Sequence, residues 1–155
     1  MTAKTSGTCA NDNGQLMEKQ IEMILLHHKY AEIPKYRFRA ARYLRQPIFS
    51  KQFHLGQSIY GTDLFCDFIL YHPAKFPDCL IIESKWQQSS GSVDEKFPFL
   101  VDNLKQPYCP PSVIVLDGGG YKPQAEAWLR SQTDAKLLHV FCMKDFQKWA
   151  NSGNI

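Results

Sequence analysis

The segment 79–86 constrains the fold of this sequence more than any other. Three consecutive apolar residues, Leu80 to Ile82, predict a strand that is buried on both faces, and Glu83 and Lys85 follow directly. Side chains alternate along a strand, so Glu83 and Lys85 project from the same face. A charge at the end of a buried strand costs free energy unless it is paired or binds a metal. The fold must therefore bring a partner to this point.

An acid on the preceding strand can supply that partner. Asp67 lies within a second apolar strand, and a hairpin would bring it opposite Glu83. Asp78 lies at an odd separation from Glu83 on one strand, so it would point to the other face. Asp63 has the same parity as Asp67 but lies about 13 Å away along the strand. The sequence therefore predicts that Asp67, Glu83 and Lys85 converge.

The periodicity of apolar residues predicts an α/β fold with a mixed central β-sheet flanked by α-helices. The early strands are close enough in sequence for an antiparallel meander, and the later alternation with helices predicts parallel additions to the same sheet. A capping box at Ser92–Glu95 is predicted to start the second helix. The predicted strands are Ile48–Leu55, Leu64–Tyr71, Cys79–Trp86, Ser112–Leu116 and Leu137–Met143, with a first helix from about Asn13 to Tyr30, an irregular or partly helical segment from Pro34 to Pro47, and short helices near Trp128 and from Asp145 to Ala150.

Length and composition predict one domain in a reducing compartment. The 155 residues and 44% hydrophobic content fit a single core, so we expect a flexible N-terminal tail over 1–13 and one domain over 14–155. No apolar run is long enough to span a bilayer, and the polar N-terminal stretch lacks a signal-peptide pattern. The five cysteines form no Cys-x-x-Cys pair, which disfavours disulfides and zinc. We therefore expect a cytoplasmic protein.

Basic residues are concentrated in one part of the chain, although the net charge is only +3. Between Lys29 and Lys51, Glu32 is the one acid among seven basic residues, and aromatic residues are interleaved with them. Such a cluster can be a solvated surface or a binding site for a polyanion, and the cluster alone leaves both interpretations open. The candidate nucleic-acid contacts are Lys35, Arg37, Arg39, Arg42, Arg45 and Lys51.

The stretch CDFILYHPAKFPDCLIIESKWQ resembles the PD-(D/E)XK nuclease superfamily, whose members have a restriction-endonuclease-like core. The later stretches GSVDEKFPF and VIVLDGGG also resemble that group, and the resemblance covers roughly residues 14–130. Cys66 stands where the signature has proline, a position at which proline is often missing. Gly14 and Glu18 match a Gly-x-x-x-Glu pattern on the first helix, with Glu22 as the second choice.

The resemblance implies a catalytic role for each residue of the motif. Asp67 and Glu83 would bind Mg²⁺, or Mn²⁺ as a substitute, together with the main-chain carbonyl of Ser84 and water. Lys85 would orient the attacking water or stabilise negative charge in the transition state. Glu18 would hold a metal-bound water or a second ion. Gln87, two residues beyond Lys85 and of the same parity, would help to place the phosphate.

The resemblance also implies a function, namely a metal-dependent endonuclease that acts on double-stranded DNA. Site-specific double-strand cleavage of the restriction or homing type is the first hypothesis, and it requires a homodimer or homotetramer because one site cuts one strand. A structure-specific or repair nuclease, such as a junction resolvase, is the second. A non-catalytic DNA-binding module of the same fold is a third, which the intact Asp67, Glu83 and Lys85 disfavour.

Overall fold

The fold is built on one six-stranded mixed sheet with helices on both faces. The structure, a computed structural model, describes the backbone of residues 6–155 and the side chains of residues 12–155. The strands are β1 (Ala31–Glu32), β2 (Ile48–Gln57), β3 (Asp63–His72), β4 (Phe76–Trp86), β5 (Ser112–Asp117) and β6 (Leu137–Cys142). The helices are α1 (Ser6–His27), α2 (Phe38–Ala41), α3 (Phe97–Leu104), α4 (Pro123–Ser131) and α5 (Met143–Trp149), with 3₁₀ turns at Arg42–Leu44 and Asp94–Lys96 and a π turn at Ala150–Asn154.

The sheet has the predicted mixed topology, with its strands in spatial order β1 to β6. Strands β2, β3 and β4 form an antiparallel meander, and β5 and β6 are then added parallel to β4. The predicted α/β class, mixed central sheet and flanking helices are confirmed. The segment predicted as irregular or partly helical also contains α2, while β1, immediately before it, pairs parallel with β2.

Each face of the sheet carries its own hydrophobic core, because β4 and β5 bury alternate residues on opposite sides. Leu80 and Ile82 pack with the residues of α1 and α5, among them Met17 and Phe146. Ile81 faces the other way, into the core that contains α2, α3 and α4. Helices on both sides explain why this strand is a continuous apolar run.

The boundaries of α1 differ from the predicted ones at both ends. The helix begins at Ser6, so residues 6–12, predicted as part of a flexible tail, are helical. Once a helix is nucleated, each added residue gains a backbone hydrogen bond. A polar segment can therefore extend the helix even where it does not pack against the hydrophobic core. Residues 1–5 of the predicted tail lie outside the described residues. At the other end, Lys29 has a left-handed φ of 69°, and the Tyr30 amide donates to the Leu25 carbonyl, which ends the helix before the predicted Tyr30.

The predicted capping box at Ser92–Glu95 is wrong. A 3₁₀ turn over Asp94–Lys96 precedes α3, and neither the turn nor the helix has a side-chain hydrogen bond at its N-cap. Pro98 lies in the first turn of α3, where its missing N–H costs nothing. Buried Phe97 anchors this start instead, because it packs against Tyr121.

The glycine loop Gly118–Gly120 supports the segment that follows β4. The Gly120 amide donates to the Gln87 carbonyl at 2.6 Å, and the Gln87 amide donates to the Asp117 carbonyl at 3.1 Å. A Cβ atom on Gly120 would lie 2.5 Å from the main-chain carbon of Gln88. The two backbones can therefore approach this closely because residue 120, like residue 118, is glycine.

We expect Gly120→Ala to lower the free energy of unfolding by about 1–3 kcal/mol, because the added methyl group overlaps backbone that cannot rotate away. Gly14→Ala is the matched control, since Gly14 lies inside α1 with no atom within 4 Å of its added Cβ. That substitution should raise stability by about 0.5–1 kcal/mol. Urea denaturation of the two variants measures both values, and equal effects would contradict the close approach.

Candidate active site

The predicted acidic residues meet where β3 and β4 separate. Backbone pairing of the two strands extends to Phe68 and Ile82. Beyond that point, side-chain carboxylate oxygens accept the hydrogen bonds of the backbone amides. The Asp67 amide donates to Glu83 Oε1 at 3.2 Å. In return, the Ser84 amide donates to Asp67 Oδ2 at 2.8 Å. The two carboxylates are thus fixed by main-chain donors of the opposite strand.

The Lys85 ammonium is bound by three oxygen atoms at this split. Its Nζ lies 2.7 Å from Glu83 Oε2, 3.4 Å from Asp67 Oδ2 and 3.0 Å from the Ser84 carbonyl oxygen. Asp67, Glu83 and Lys85 therefore converge as the sequence predicts. The three oxygens define one position at which a cation is held.

Burial controls the electrostatics of this cluster. Glu83 is 5% exposed, and its burial raises the pKa of its carboxyl group against the opposing charge of Lys85. Burial alone would lower the pKa of Lys85, but Glu83 and Asp67 together raise it above its ordinary value. Each charge is stable here because the opposite charge is present, so removing one partner leaves an uncompensated buried charge.

Comparison with protein families identifies the family to which a chain with this arrangement belongs. The family model described as a PD-(D/E)XK nuclease superfamily domain matches residues 9–154. The chain belongs to the PD-(D/E)XK nuclease superfamily. It therefore carries a nuclease domain, and the resemblance seen in the sequence is confirmed. No curated protein and no solved structure matches the chain. In the described part of the chain, no helix has the length and hydropathy needed to cross a membrane.

The donor set of this nuclease domain fits a hard divalent cation. PD-(D/E)XK nucleases typically use divalent metals, and oxygen ligands suit such ions. Among the residues that the structure describes, no three His, Cys, Asp or Glu side chains lie close enough together to form a metal site. Asp67, Glu83 and the Ser84 carbonyl would thus hold the ion together with water, and the contacts of Lys85 show that these oxygens already accept a positive charge.

Glu18 and Glu22, the two acids of α1 that the sequence offered as helpers of the site, have different surroundings in the structure. Glu18 is half-buried, and both burial and the charge of Asp67 raise its pKa, whereas Lys85 and Lys51 lower it. Its carboxylate therefore lies within electrostatic range of the cluster. Glu22 is instead ion-paired with Lys19 at 2.7 Å and Lys51 at 2.9 Å. Glu22 is therefore engaged in ion pairs away from the cluster, whereas Glu18 interacts electrostatically with Asp67 and Lys85.

Gln87 is not brought into the cluster, although its parity predicted that it would be. Strand β4 ends at Trp86, so alternation no longer determines where the next side chain points. The Gln87 side chain is buried, its Nε2 donates to the Gly120 carbonyl at 2.9 Å, and its Oε1 accepts from the Val93 amide at 2.9 Å. With both ends of the carboxamide bound, Gln87 positions the loops beside the site.

Two neighbours of the cluster were missed by the sequence reasoning. Gln52 lies opposite Asp67 in the β2–β3 hairpin, and its Nε2 donates to Asp67 Oδ1 at 3.4 Å. The hairpin register could have found it, because Lys51 pairs with Phe68. The hydroxyl of Tyr121 donates to the Lys85 carbonyl at 2.5 Å. No local sequence pattern predicts that contact, because Tyr121 follows the glycine loop and lies far from Lys85 in the sequence.

The predicted DNA contacts divide between the two faces of the sheet. Five of them, Lys35, Arg37, Arg39, Arg42 and Arg45, lie in or beside α2 and the 3₁₀ turn after it. Lys51 lies on β2 and forms ion pairs with Glu22 of α1 and with Glu32. Lys51 therefore stabilises the junction of α1 with the sheet, and the structure separates it from the other five.

The pairing of Glu22 predicts a pH-dependent contribution to stability. Hydrogen bonds from Lys19 and Lys51 lower the pKa of Glu22 below its ordinary value of 4.5. A group with a lowered pKa in the folded state stabilises the protein above its ordinary pKa, and this contribution is lost as the pH falls. We expect Glu22→Gln to cost roughly 1–2 kcal/mol at neutral pH, with the difference from wild type shrinking at acidic pH.

Urea denaturation between acidic and neutral pH measures this difference. Glu18→Gln is the control, because burial already disfavours the charge of Glu18 and its neutral isostere should not lose stability at neutral pH. A loss for Glu22→Gln that stays constant with pH would contradict the ion-pair assignment.

Proposed function

We propose that this protein is a metal-dependent DNA endonuclease that hydrolyses phosphodiester bonds. The observation that carries the proposal is the single cation position formed by Asp67, Glu83 and the Ser84 carbonyl oxygen. The basic residues around α2 supply the second half of the argument, because a polyanionic substrate needs compensating charge. Mg²⁺ is the preferred metal in this proposal, since it accepts two carboxylates and keeps several waters, and Mn²⁺ is the substitute.

Each residue of the cluster has a defined part in the proposed reaction. A bound metal ion would polarise the scissile phosphate and lower the pKa of a bound water. Asp67 and Glu83 hold their oxygens in place through main-chain donors of the neighbouring strand. Lys85 places a positive charge beside the position where the phosphate gains negative charge. Glu18 is assigned to orient water at the α1 side of the cluster.

Double-strand cleavage at specific sites is the form of activity that we propose. One cluster hydrolyses one strand, so a homodimer or homotetramer would supply the second cut. A structure-specific or repair nuclease and a non-catalytic DNA-binding module remain the alternatives. Incubation of supercoiled plasmid with Mg²⁺ or EDTA separates them. Discrete linear bands support site-specific cleavage, a smear indicates a non-specific nuclease, and an unchanged plasmid that is still bound contradicts an enzyme.

Substitution of the cluster tests the residue assignment. We expect Asp67→Asn and Lys85→Ala to lower the cleavage rate by at least about 100-fold, because each removes a charge aimed at the reacting phosphate. Asp63→Asn is the matched control, since Asp63 lies on the same strand with the same parity but is exposed and hydrogen-bonded to His54. Rates are measured from plasmid conversion with Mg²⁺. Full activity in either cluster variant would remove these residues from the proposed mechanism.

The contacts of Lys85 predict competition between its ammonium group and the metal. Both cations use the same three oxygens, so Lys85 must release at least some of them when the ion binds. Lys85→Met keeps the length of the side chain and removes its charge. We therefore expect this variant to bind Ca²⁺ more tightly than wild type, even though it loses cleavage.

Titration calorimetry with Ca²⁺ alone measures that affinity without any turnover. Thermal denaturation with Ca²⁺ gives a second readout, because an ion that binds only the folded state raises its stability. Asp67→Asn should bind Ca²⁺ more weakly than wild type. Equal or weaker Ca²⁺ binding by Lys85→Met would show that the ammonium and the ion do not share a site.

A further inference from the structure

We propose that a pocket of three arginines binds a backbone phosphate of duplex DNA other than the phosphate that is cut. The arginine pocket encloses about 330 Å³. It is lined by Arg39, Arg42, Tyr43, Arg45, Tyr71 and Pro77. This inference rests on the proposed function, because it assigns a second contact on the same substrate.

The positive charge of the arginine pocket is not neutralised by the protein. Over residues 12–155, Arg39, Arg42 and Arg45 form no ion pair with a carboxylate. Asp78 lines an adjoining cavity with Arg39 and Arg42 but is not paired with either. By contrast, Arg130 of α4 is paired with Glu126 at 2.8 Å. Three guanidinium groups around one concave surface attract an anion such as a phosphate.

Two of these guanidinium groups are already held in place. Arg42 Nη2 donates to the Pro77 carbonyl at 2.9 Å, and its guanidinium carbon lies 5.2 Å from the centre of the Tyr71 ring. The guanidinium of Arg39 lies 5.6 Å from the centre of the Phe53 ring. A group that is ordered before binding loses less conformational entropy when it contacts a ligand. These contacts distinguish the pocket from mobile surface arginines.

The arginine pocket lies too far from the Asp67–Glu83–Lys85 cluster to contact the scissile phosphate itself. Tyr71 follows Asp67 by four residues on β3, which corresponds to about 13 Å. A single strand of B-DNA advances about 3.4 Å per nucleotide along the helix axis, so this distance spans roughly four base pairs. Arg39 also lines a second groove with Lys35 and Phe65, and Phe65 and Tyr71 lie on β3 on either side of Asp67. The basic surface thus runs alongside the cluster.

Binding of a short random duplex in Ca²⁺, measured by fluorescence anisotropy over a range of KCl concentrations, tests the proposal. The double variant Arg42→Gln/Arg45→Asn removes two of the three charges. Arg45→Asn alone is the variant least prone to misfold, because Arg45 has a left-handed φ of 54° that asparagine tolerates. The control is Lys144→Ala/Lys148→Ala, which removes the same charge from α5, on the opposite face of the sheet.

The slope of log affinity against log salt is negative, and each lost phosphate contact should reduce its magnitude by about 0.9. Because the pocket binds one phosphate, we expect a decrease of about 0.9 for the double variant and a smaller decrease for the single variant, with the control unchanged. An unchanged slope in the pocket variants, or an equal loss in the α5 control, overturns the inference while cleavage by wild type leaves the proposed function standing. A wild type that neither cuts nor binds DNA overturns both.

Discussion

The contact of the Lys85 ammonium with two carboxylates and a carbonyl oxygen is the interaction on which the rest of this site depends. Glu83 is buried at the end of an apolar strand, where its negative charge would be strongly disfavoured alone. Lys85 compensates that charge at 2.7 Å, and Asp67 completes the set from the neighbouring strand. The two carboxylates of the cluster are therefore stable as charged groups only while a positive charge lies between them.

The sheet positions the charged groups of the cluster by interrupting the backbone pairing between β3 and β4. Beyond Phe68 and Ile82, the carboxylates of Asp67 and Glu83 accept the backbone amides that a regular ladder would pair. Strand β5 pairs with β4 through Trp86 and Asp117, so β4 stays rigid where β3 leaves it. The glycine loop after β5 then packs against the backbone of residues 87–89. Rigidity on one side and separation on the other hold these oxygens in fixed positions where the two strands part.

The local sequence correctly predicted the features that depend on side-chain alternation and burial within the strands. It did not predict the contacts of residues beyond the strand ends. The convergence of Asp67, Glu83 and Lys85 follows from parity on two buried strands, and the mixed topology follows from the spacing of apolar runs. Gln87 lies one residue past β4, so parity gave it the wrong surroundings. The roles of Lys51 and Glu22 depend on how α1 crosses the sheet, which no local pattern encodes. Gln52 was missed because its contact requires the register of a hairpin.

The signs of the charges explain why the site and the basic surface occupy different places. With all groups ionised, Asp67, Glu83 and Lys85 carry one net negative charge, and Glu18 adds another nearby. A phosphate that approaches this cluster is repelled until a divalent ion neutralises the local charge. The residues of α2 and the arginine pocket face no such constraint, because the described residues leave their charge unpaired. In the proposed function, attraction of the DNA can therefore be independent of the metal, whereas placement of the scissile phosphate requires it.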